Sequence, residues 1–314
     1  MTQQISEPNA AYDLAVIGAG PAGLTAALYG TRGGLNLAVL ERISAGGQLA
    51  QTEHIENYPG FPEGTGGFDL AWSMQQQAVN FGAQMLSEDV VSVDFSGDVK
   101  RLTCASGSVI EAGSVIVATG ARPRKLGLAH EDELRGRGVS YCATCDGNFF
   151  RGRSVAIVGG GDTAAADAIY LARICEKVYL VHRRDKLRAT QVYHDRLAAL
   201  PNVEFVWNST PEELLEEGGA VCGLRVKDKN TGDMRDLAVS GVFVAVGTVP
   251  NTEFLESALP LAEGGYIVAD ESGRTVVPGV FAAGDVRTKA LRQVATAVSD
   301  GAQAAENAAE FLAI

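Results

Sequence analysis

The chain has 314 residues, 46% of them apolar and 20% charged, which excludes a disordered polymer and leaves room for two domains. Its formal net charge of −12 repels phosphate backbones, so nucleic acid is not an expected partner. No apolar run approaches the ~18 residues of a membrane helix, and the opening MTQQISEPNAAYD lacks the plan of a signal peptide, so a cytoplasmic protein without membrane contact is expected.

Residues 13–42 read DLAVIGAGPAGLTAALYGTRGGLNLAVLER. The short apolar run Leu14 to Ile17 predicts a buried parallel strand. Gly18, Gly20 and Gly23 follow in G-x-G-x-x-G spacing, then an Ala- and Leu-rich helix, then a second strand over Leu37 to Leu40. This is the context of a dinucleotide site: Gly18 for the tight turn, Gly20 for approach of a pyrophosphate, Gly23 for close helix packing. Glu41 ends the second strand 23 residues after Gly18, where a carboxylate accepts from ribose hydroxyls.

The segment 46–63, GGQLAQTEHIENYPGFPE, is a long loop whose place after a nucleotide-binding strand favours a functional role. Residues 114–123, SVIVATGARP, predict a strand that ends in glycine and soon meets a proline. Residues 139–148, VSYCATCDGN, hold two cysteines two residues apart, with Asp146 directly after the second.

Residues 154–184 repeat the first plan 141 positions later. Val155 to Val158 is the strand, Gly159, Gly161 and Ala164 give G-x-G-x-x-A, and Val178 to Val181 is the second strand. At the place of Glu41 stands His182, followed by Arg183 and Arg184, with Arg188 beyond. A carboxylate there repels a 2′-phosphate, whereas guanidinium groups bind one through charge-assisted bonds. The first unit is thus expected to take a dinucleotide without a 2′-phosphate and the second NADP(H).

Residues 241–250, GVFVAVGTVP, echo SVIVATGARP, and each echo marks a crossing between domains. The expected fold is α/β, with two Rossmann-like dinucleotide-binding domains. A discontinuous first domain spans 1–122 and 249–314, and a second is inserted at 123–248. Near the end, Val280 to Ala283 predicts a strand closed by AGD, whose Asp285 suits a ribityl or ribose hydroxyl. Residues 293–312 predict a helix whose first turn, near Arg292–Val294, suits a flavin ring.

A structural zinc site needs about four ligands, and the chain has one C-x-x-C, with Cys104, Cys175 and Cys222 isolated and His54, His130, His182 and His194 unpaired. No metal is therefore expected. A structural bridge over so short a loop stabilises little. A redox pair fits better, with Asp146 able to carry the proton of each thiol–disulfide step. The three isolated cysteines are read as packing groups. Nicotinamide delivers a hydride, while a disulfide opens by nucleophilic attack; an isoalloxazine joins the two, which makes FAD the expected second dinucleotide.

With these stretches in place, the sequence resembles the low-molecular-weight, bacterial-type thioredoxin reductases. The matching segments are GAGPAG (18–23), GGQLAQTEHIENYPGF (46–61), ATGA (118–121), GRGVSYCATCDG (136–147), GGGDTA (159–164), HRRDKLRA (182–189), GYIV (265–268), VPGVFAAGDVR (277–287) and LRQVATA (291–297). The resemblance implies a homodimer that uses FAD and NADPH to reduce thioredoxin. It implies that Cys145 faces the flavin, Cys142 attacks the partner disulfide and Asp146 is the acid/base. FAD contacts are implied at Gly18, Gly20, Pro21, Ala22, Glu41, Gly47, Gln48 and Asn57. Further ones fall at Ala118, Thr119 and Gly120, and at Gly284, Asp285, Arg292, Gln293 and Val294. NADPH contacts are implied at Gly159, Gly161, Asp162, Thr163, Ala164 and His182, with Arg183, Arg184 and Arg188 on the 2′-phosphate. The chain departs from the family where many members carry two acids after GGGD(S/T)A: here Ala165 and Ala166 precede a single Asp167. Related acceptors, a glutaredoxin-like protein or a peroxiredoxin, are the alternative, and a flavin-dependent dithiol oxidase is disfavoured by HRRDKLR. A non-enzymatic flavin sensor would need neither the hydride-donor site nor the disulfide.

Overall fold

A computed structural model describes residues 11–52 and 55–313; the polar first ten residues and His54 lie outside the described residues. In chain order the elements are β1 (Tyr12–Ile17), α1 (Pro21–Arg32), β2 (Leu37–Glu41), α2 (Gly67–Asn80), β3 (Gln84–Ser87), β4 (Val90–Asp94), β5 (Lys100–Cys104), β6 (Val109–Val117) and β7 (Ala121–Pro123). Next come β8 (Val139–Ser140), α3 (Ala143–Asp146), β9 (Ser154–Gly159), α4 (Asp162–Ala172), β10 (Lys177–Val181), α5 (Gln191–Ala198), β11 (Val203–Val206), β12 (Ser209–Glu217), β13 (Ala220–Asp228), β14 (Met234–Ala238) and β15 (Gly241–Ala245). The chain closes with β16 (Thr248–Pro250), β17 (Val280–Ala282) and α6 (Val294–Leu312).

Two compact units result. Residues up to Arg122, with those from Val249 onward, make the first, and Pro123–Thr248 make the second. The crossing segments β7 and β16 pair as a two-stranded sheet.

In the first unit the sheet order is β3-β2-β1-β6-β5-β4. Strands β3, β2, β1 and β6 run parallel, β5 and β4 antiparallel, and β17 joins the far end of β6 in parallel. Alternation along the strands sorts the apolar side chains onto two faces. Leu14, Val16, Leu37, Val39 and Ile116 pack against α1 and α6. Ala15, Ile17, Ala38, Leu40 and Val117 face the opposite way, against Leu255, Leu259 and Ile267. Burial on both faces is why these strands are nearly unbroken runs of apolar residues.

The second unit repeats the logic with a parallel sheet in the order β11-β10-β9-β15-β8. Val155, Ile157, Val178 and Leu180 face α4 through its small residues Ala164, Ala165 and Ala168. Ala156, Val158, Val181 and Val242 face the antiparallel sheet β12-β13-β14 through Leu224, Val226 and Leu237. Strand β1 separates β2 from β6, and β9 separates β10 from β15. In each unit the strand order reverses there, where open α/β sheets form ligand crevices.

The isolated cysteines divide. Cys104 and Cys175 are buried as expected, and burial pushes the Cys175 thiol up to about 11. Cys222 is exposed, against the reading of all three as packing groups. It lies on β13 between the buried Val221 and Gly223, so alternation turns it outward.

Candidate active site

Both glycine loops are built alike. Gly18 leaves β1 with φ +102°, a conformation that a side chain resists, and a β-carbon there would meet Ala118 O at 2.6 Å. A β-carbon on Gly159, at the end of β9, would meet Ala245 O at 2.5 Å. Each turn is thus wedged against the end of the next strand in its sheet. The third position of the motif packs helix onto loop: a β-carbon on Gly23 would fall 1.9 Å from Gly18 O, and Ala164 is fully buried. The middle glycine differs, since a β-carbon on Gly20 or on Gly161 would meet nothing within 4 Å. Those two positions have no protein packing that requires glycine, which fits a ligand approaching the backbone. Gly20 and Gly161 are also the N-caps of α1 and α4, and neither helix start has a side-chain cap. Uncapped N–H groups at a helix N-terminus suit a phosphate.

Around the start of α1 the structure gathers segments far apart in the chain. The Ala19 N–H donates to Glu41 Oε2 at 3.0 Å, and the Ile43 N–H to Oε1 at 3.1 Å. Glu41 is therefore fixed over the loop, with further lone pairs for ribose hydroxyls. Gly47 lies beside Gly20, a β-carbon on it meeting Gly20 Cα at 3.5 Å, and the Gln48 amide donates to Ala121 O. Asn57 Nδ2 donates to Gln293 Oε1 at 3.0 Å, which joins the long loop to the N-cap of α6. Val294 packs on the cluster of Leu49, Ile55, Leu70 and Ala71. Thr119 Oγ1 donates to Asn251 O at 2.7 Å, and Asn251 Nδ2 returns a bond to Thr119 O at 2.8 Å. Asn251 N also donates to Gly120 O at 3.0 Å, so one asparagine clamps the whole loop after β6.

Gly284 closes the ring, since a β-carbon on it would meet the Ala22 side chain at 2.9 Å. Its neighbour Asp285 is half-buried, and its Oδ1 atom is buried without a hydrogen-bond partner. Burial pushes the Asp285 carboxyl above its ordinary value, an effect that the charges of Lys289 and Arg292 offset in part. Arg292 stacks its guanidinium 4.4 Å from the centre of the Tyr266 ring and leaves Nε buried without an acceptor. Unsatisfied buried polar atoms are costly, and these two sit where a hydroxyl-bearing dinucleotide would complete them.

In the second unit, Arg183, Arg184 and Arg188 are exposed, and among the described residues none of the three forms an ion pair. Their backbone is held: Arg188 N donates to Gly160 O at 2.7 Å, and Asn208 N donates to Arg184 O at 3.1 Å. Asp162 Oδ1 accepts from Thr190 N at 2.7 Å, and Thr163 is exposed beside it. His182 is buried under the loop, where burial lowers its pKa and leaves it neutral near pH 7. Its ring lies so close that a β-carbon on Gly160 would fall 2.1 Å from Cε1. Gly160 lies outside the G-x-G-x-x-A positions read from the sequence; its place as the middle glycine of GGG is the one local signal for it. His182 Nε2 is a third buried polar atom without a partner.

The two cysteines are joined: Cys142 and Cys145 form a disulfide across a Cα–Cα distance of 5.3 Å, at the start of the short helix α3. Asp146 ends that helix, and its Oδ2 accepts from Ser140 Oγ at 2.6 Å. Tyr141, just before Cys142, donates its hydroxyl to the buried Glu131 at 2.7 Å. Glu131 also accepts from the N–H groups of Leu126 and Gly127 at 2.9 and 2.8 Å. Burial, then the Glu131 bond, pushes the Tyr141 phenol well up, so it stays a donor.

Two nucleotide-type glycine loops and a disulfide-bonded C-x-x-C pair in one chain define a flavin- and nicotinamide-linked disulfide oxidoreductase. The family model for pyridine nucleotide-disulphide oxidoreductases matches residues 12–301, and the chain belongs to that family. It is 48% identical over 300 residues to thioredoxin reductase of Streptomyces clavuligerus, covering 95% of this chain and 93% of that one. It is 47% identical over 301 residues to thioredoxin reductase of Listeria innocua, covering 96% and 94%. Among solved structures, thioredoxin reductase of Streptococcus pyogenes aligns with a TM-score of 0.89 at 42% identity, covering 98% of this chain and 99% of the other. That of Giardia duodenalis aligns with a TM-score of 0.90 at 36% identity, covering 96% and 99%.

Proposed function

We propose that the protein is an NADPH-dependent flavoprotein disulfide reductase that reduces thioredoxin through Cys142 and Cys145. The observation that carries this reading is the bonded cysteine pair, with Asp146 beside it, in the same unit as three exposed arginines that form no ion pair among the described residues. The full-length similarity to thioredoxin reductases supports the choice of acceptor.

The first unit is the FAD domain in this reading. Gly18 to Ala22 and the α1 N-terminus hold the pyrophosphate, and Glu41 holds the adenosine ribose. Gly47, Gln48, Asn57 and the Ala118–Gly120 turn line the site. Gly284, Asp285, Arg292, Gln293 and Val294 bind the ribityl chain and ring, with Asp285 Oδ1 as a ready acceptor. The second unit is the NADPH domain. Gly159 to Ala164 hold the pyrophosphate, His182 supports the loop, and Arg183, Arg184 and Arg188 select the 2′-phosphate. When bound, the flavin accepts a hydride and supplies two electrons to sulfur.

The protein groups do the rest. Opening the Cys142–Cys145 bond with two electrons leaves two sulfur anions, and Asp146 delivers a proton to one of them. In the second half-reaction Asp146 takes a proton from the Cys142 thiol. The Cys142 thiolate attacks the partner disulfide, and a mixed disulfide forms as the partner's other sulfur leaves. Asp146 gives that sulfur its proton, and the Cys145 thiolate displaces the remaining partner sulfur, which leaves as a thiolate and takes a proton from solvent. The Cys142–Cys145 bond closes, and Asp146 regains its proton from solvent. A homodimer is the proposed assembly, following the resemblance. No helix among the described residues is long and apolar enough to cross a membrane, in keeping with the cytoplasmic location we propose.

The test is oxidation of NADPH by the purified protein with oxidised thioredoxin as acceptor. Thioredoxin-dependent turnover that disappears in Cys145→Ser confirms the reading; turnover independent of any dithiol acceptor overturns it.

A further inference from the structure

Ser140 is the last residue of β8, two positions before Cys142, and is only 3% exposed. Its Oγ has three polar neighbours. The Cys142 N–H donates to it at 3.1 Å, Asp146 Oδ2 lies 2.6 Å away, and the Cys142 carbonyl oxygen lies 3.3 Å away. That carbonyl also accepts the Asp146 N–H at 3.1 Å.

A hydroxyl carries one hydrogen and two lone pairs. With Asp146 ionised, its Oδ2 can only accept, so the Ser140 hydrogen points to it while Cys142 N–H fills one Ser140 lone pair. With Asp146 protonated, its O–H points to the second Ser140 lone pair. The Ser140 hydrogen then turns to the Cys142 carbonyl. Every group keeps a partner in both states, and no heavy atom has to move.

We propose that Ser140 is a positioning residue whose hydroxyl rotation matches both protonation states of Asp146, so that the carboxyl takes up and releases the thiol proton without rearrangement. The inference rests on the reading of Asp146 as the acid/base and adds to it how that group is held. Preorganised partners matter because any reordering in the proton-transfer step adds to its barrier. Since Ser140 also fixes the amide of Cys142, the same hydroxyl links the proton carrier to the backbone of the attacking cysteine.

The experiment compares Ser140→Ala, Ser140→Thr, Asp146→Asn and the double variant Ser140→Ala/Asp146→Asn as FAD-loaded enzymes, with Ser140→Gly as a second hydroxyl-free variant. Flavin absorbance reports folding. Rapid mixing with NADPH reports hydride delivery, and steady-state turnover gives kcat and KM for thioredoxin. The expected result for Ser140→Ala is a loss of about 10-fold in kcat, a fraction of the usual acid/base contribution. KM and flavin reduction by NADPH stay unchanged, Ser140→Thr restores the rate, and the double variant is no slower than Asp146→Asn. A full rate in Ser140→Ala alongside a slow Asp146→Asn overturns the inference, as do losses that multiply in the double variant. Full turnover by Asp146→Asn removes the acid/base reading itself.

Discussion

The Asp300 carboxylate grips the Arg287 guanidinium with both oxygens, Oδ2 from Nε and Oδ1 from Nη2, each at 2.9 Å and both side chains buried. Lys289 Nζ adds a bond at 2.8 Å and Gly284 N–H another at 2.9 Å. One residue of α6 thereby fixes the loop that presents Asp285. The residue after it, Gly301, packs on α1: a β-carbon there would fall 2.1 Å from Ala22 O. Burial alone would raise the Asp300 carboxyl, but the Arg287 and Lys289 bonds outweigh it and hold the group below its ordinary value.

Removing one partner of a buried ion pair leaves the other charge uncompensated, which costs about 3–5 kcal/mol. Asp300→Asn is therefore expected to lower the urea midpoint of the apoprotein at pH 7. Because the folded pKa is depressed, the contribution is complete above the unfolded value and fades as pH falls through the folded one. The gap between wild type and variant should accordingly narrow when the unfolding is repeated in acid. A gap that widens there contradicts the assignment.

Gly20 and Gly23 separate the proposed ligand contact from packing within one motif. A methyl group at Gly23 meets backbone at 1.9 Å, and one at Gly20 meets nothing within 4 Å. Gly23→Ala should destabilise the apoprotein by about 1–3 kcal/mol, the usual cost of overpacking. Gly20→Ala should leave apoprotein unfolding unchanged and reduce FAD binding, read by flavin fluorescence on titration. Normal FAD affinity in Gly20→Ala would remove the pyrophosphate from this loop.

The motifs were legible because each depends on residues close in sequence. Strand, glycine turn and helix follow one another within about 30 residues, a spacing set by the geometry of the βαβ unit. The swap from Glu41 to His182 and Arg183 was legible because the two units align. What stayed hidden depends on pairs that only the fold brings together. Asn251 meets Thr119 across 132 positions. Asp300 looks like one more polar residue of an Ala-rich helix until Arg287 is folded against it. Glu131 reads as a surface acid in HEDE, yet it is buried with four donors around it. Ser140 sits in a stretch whose sequence signals are its two cysteines and Asp146, and nothing local marks the serine. The outward turn of Cys222 depends on which face of β13 meets the core, which composition does not encode.

In the proposed NADPH domain, Arg183 and Arg184 are the residues proposed to set the cofactor preference. Each bond between a guanidinium and the 2′-phosphate contributes about 1.5–3 kcal/mol. Replacing both with Ala should raise KM for NADPH by about 100-fold or more and leave KM for NADH nearly unchanged. The measurement is steady-state turnover with each nucleotide at saturating thioredoxin. An unchanged NADPH/NADH ratio would move the 2′-phosphate elsewhere.

The Cys142–Cys145 bond makes the number of electrons taken up a test of the whole assignment. Anaerobic titration of the FAD-loaded protein with NADPH, followed by flavin absorbance, should need about two hydride equivalents per chain, one for flavin and one for the disulfide. In Cys145→Ser no disulfide can form between the pair, and the flavin should bleach with about one equivalent. The protein should stay yellow before titration, because the cysteines belong to the second unit and the residues proposed to hold the flavin to the first. A wild-type titration that ends at one equivalent would mean that the bonded pair does not exchange electrons with the flavin. A Cys145→Ser variant that still needs two would place the second electron pair elsewhere. Cys104 and Cys175 are buried and Cys222 stands apart on β13, so no second dithiol pair among the described residues is ready to receive it.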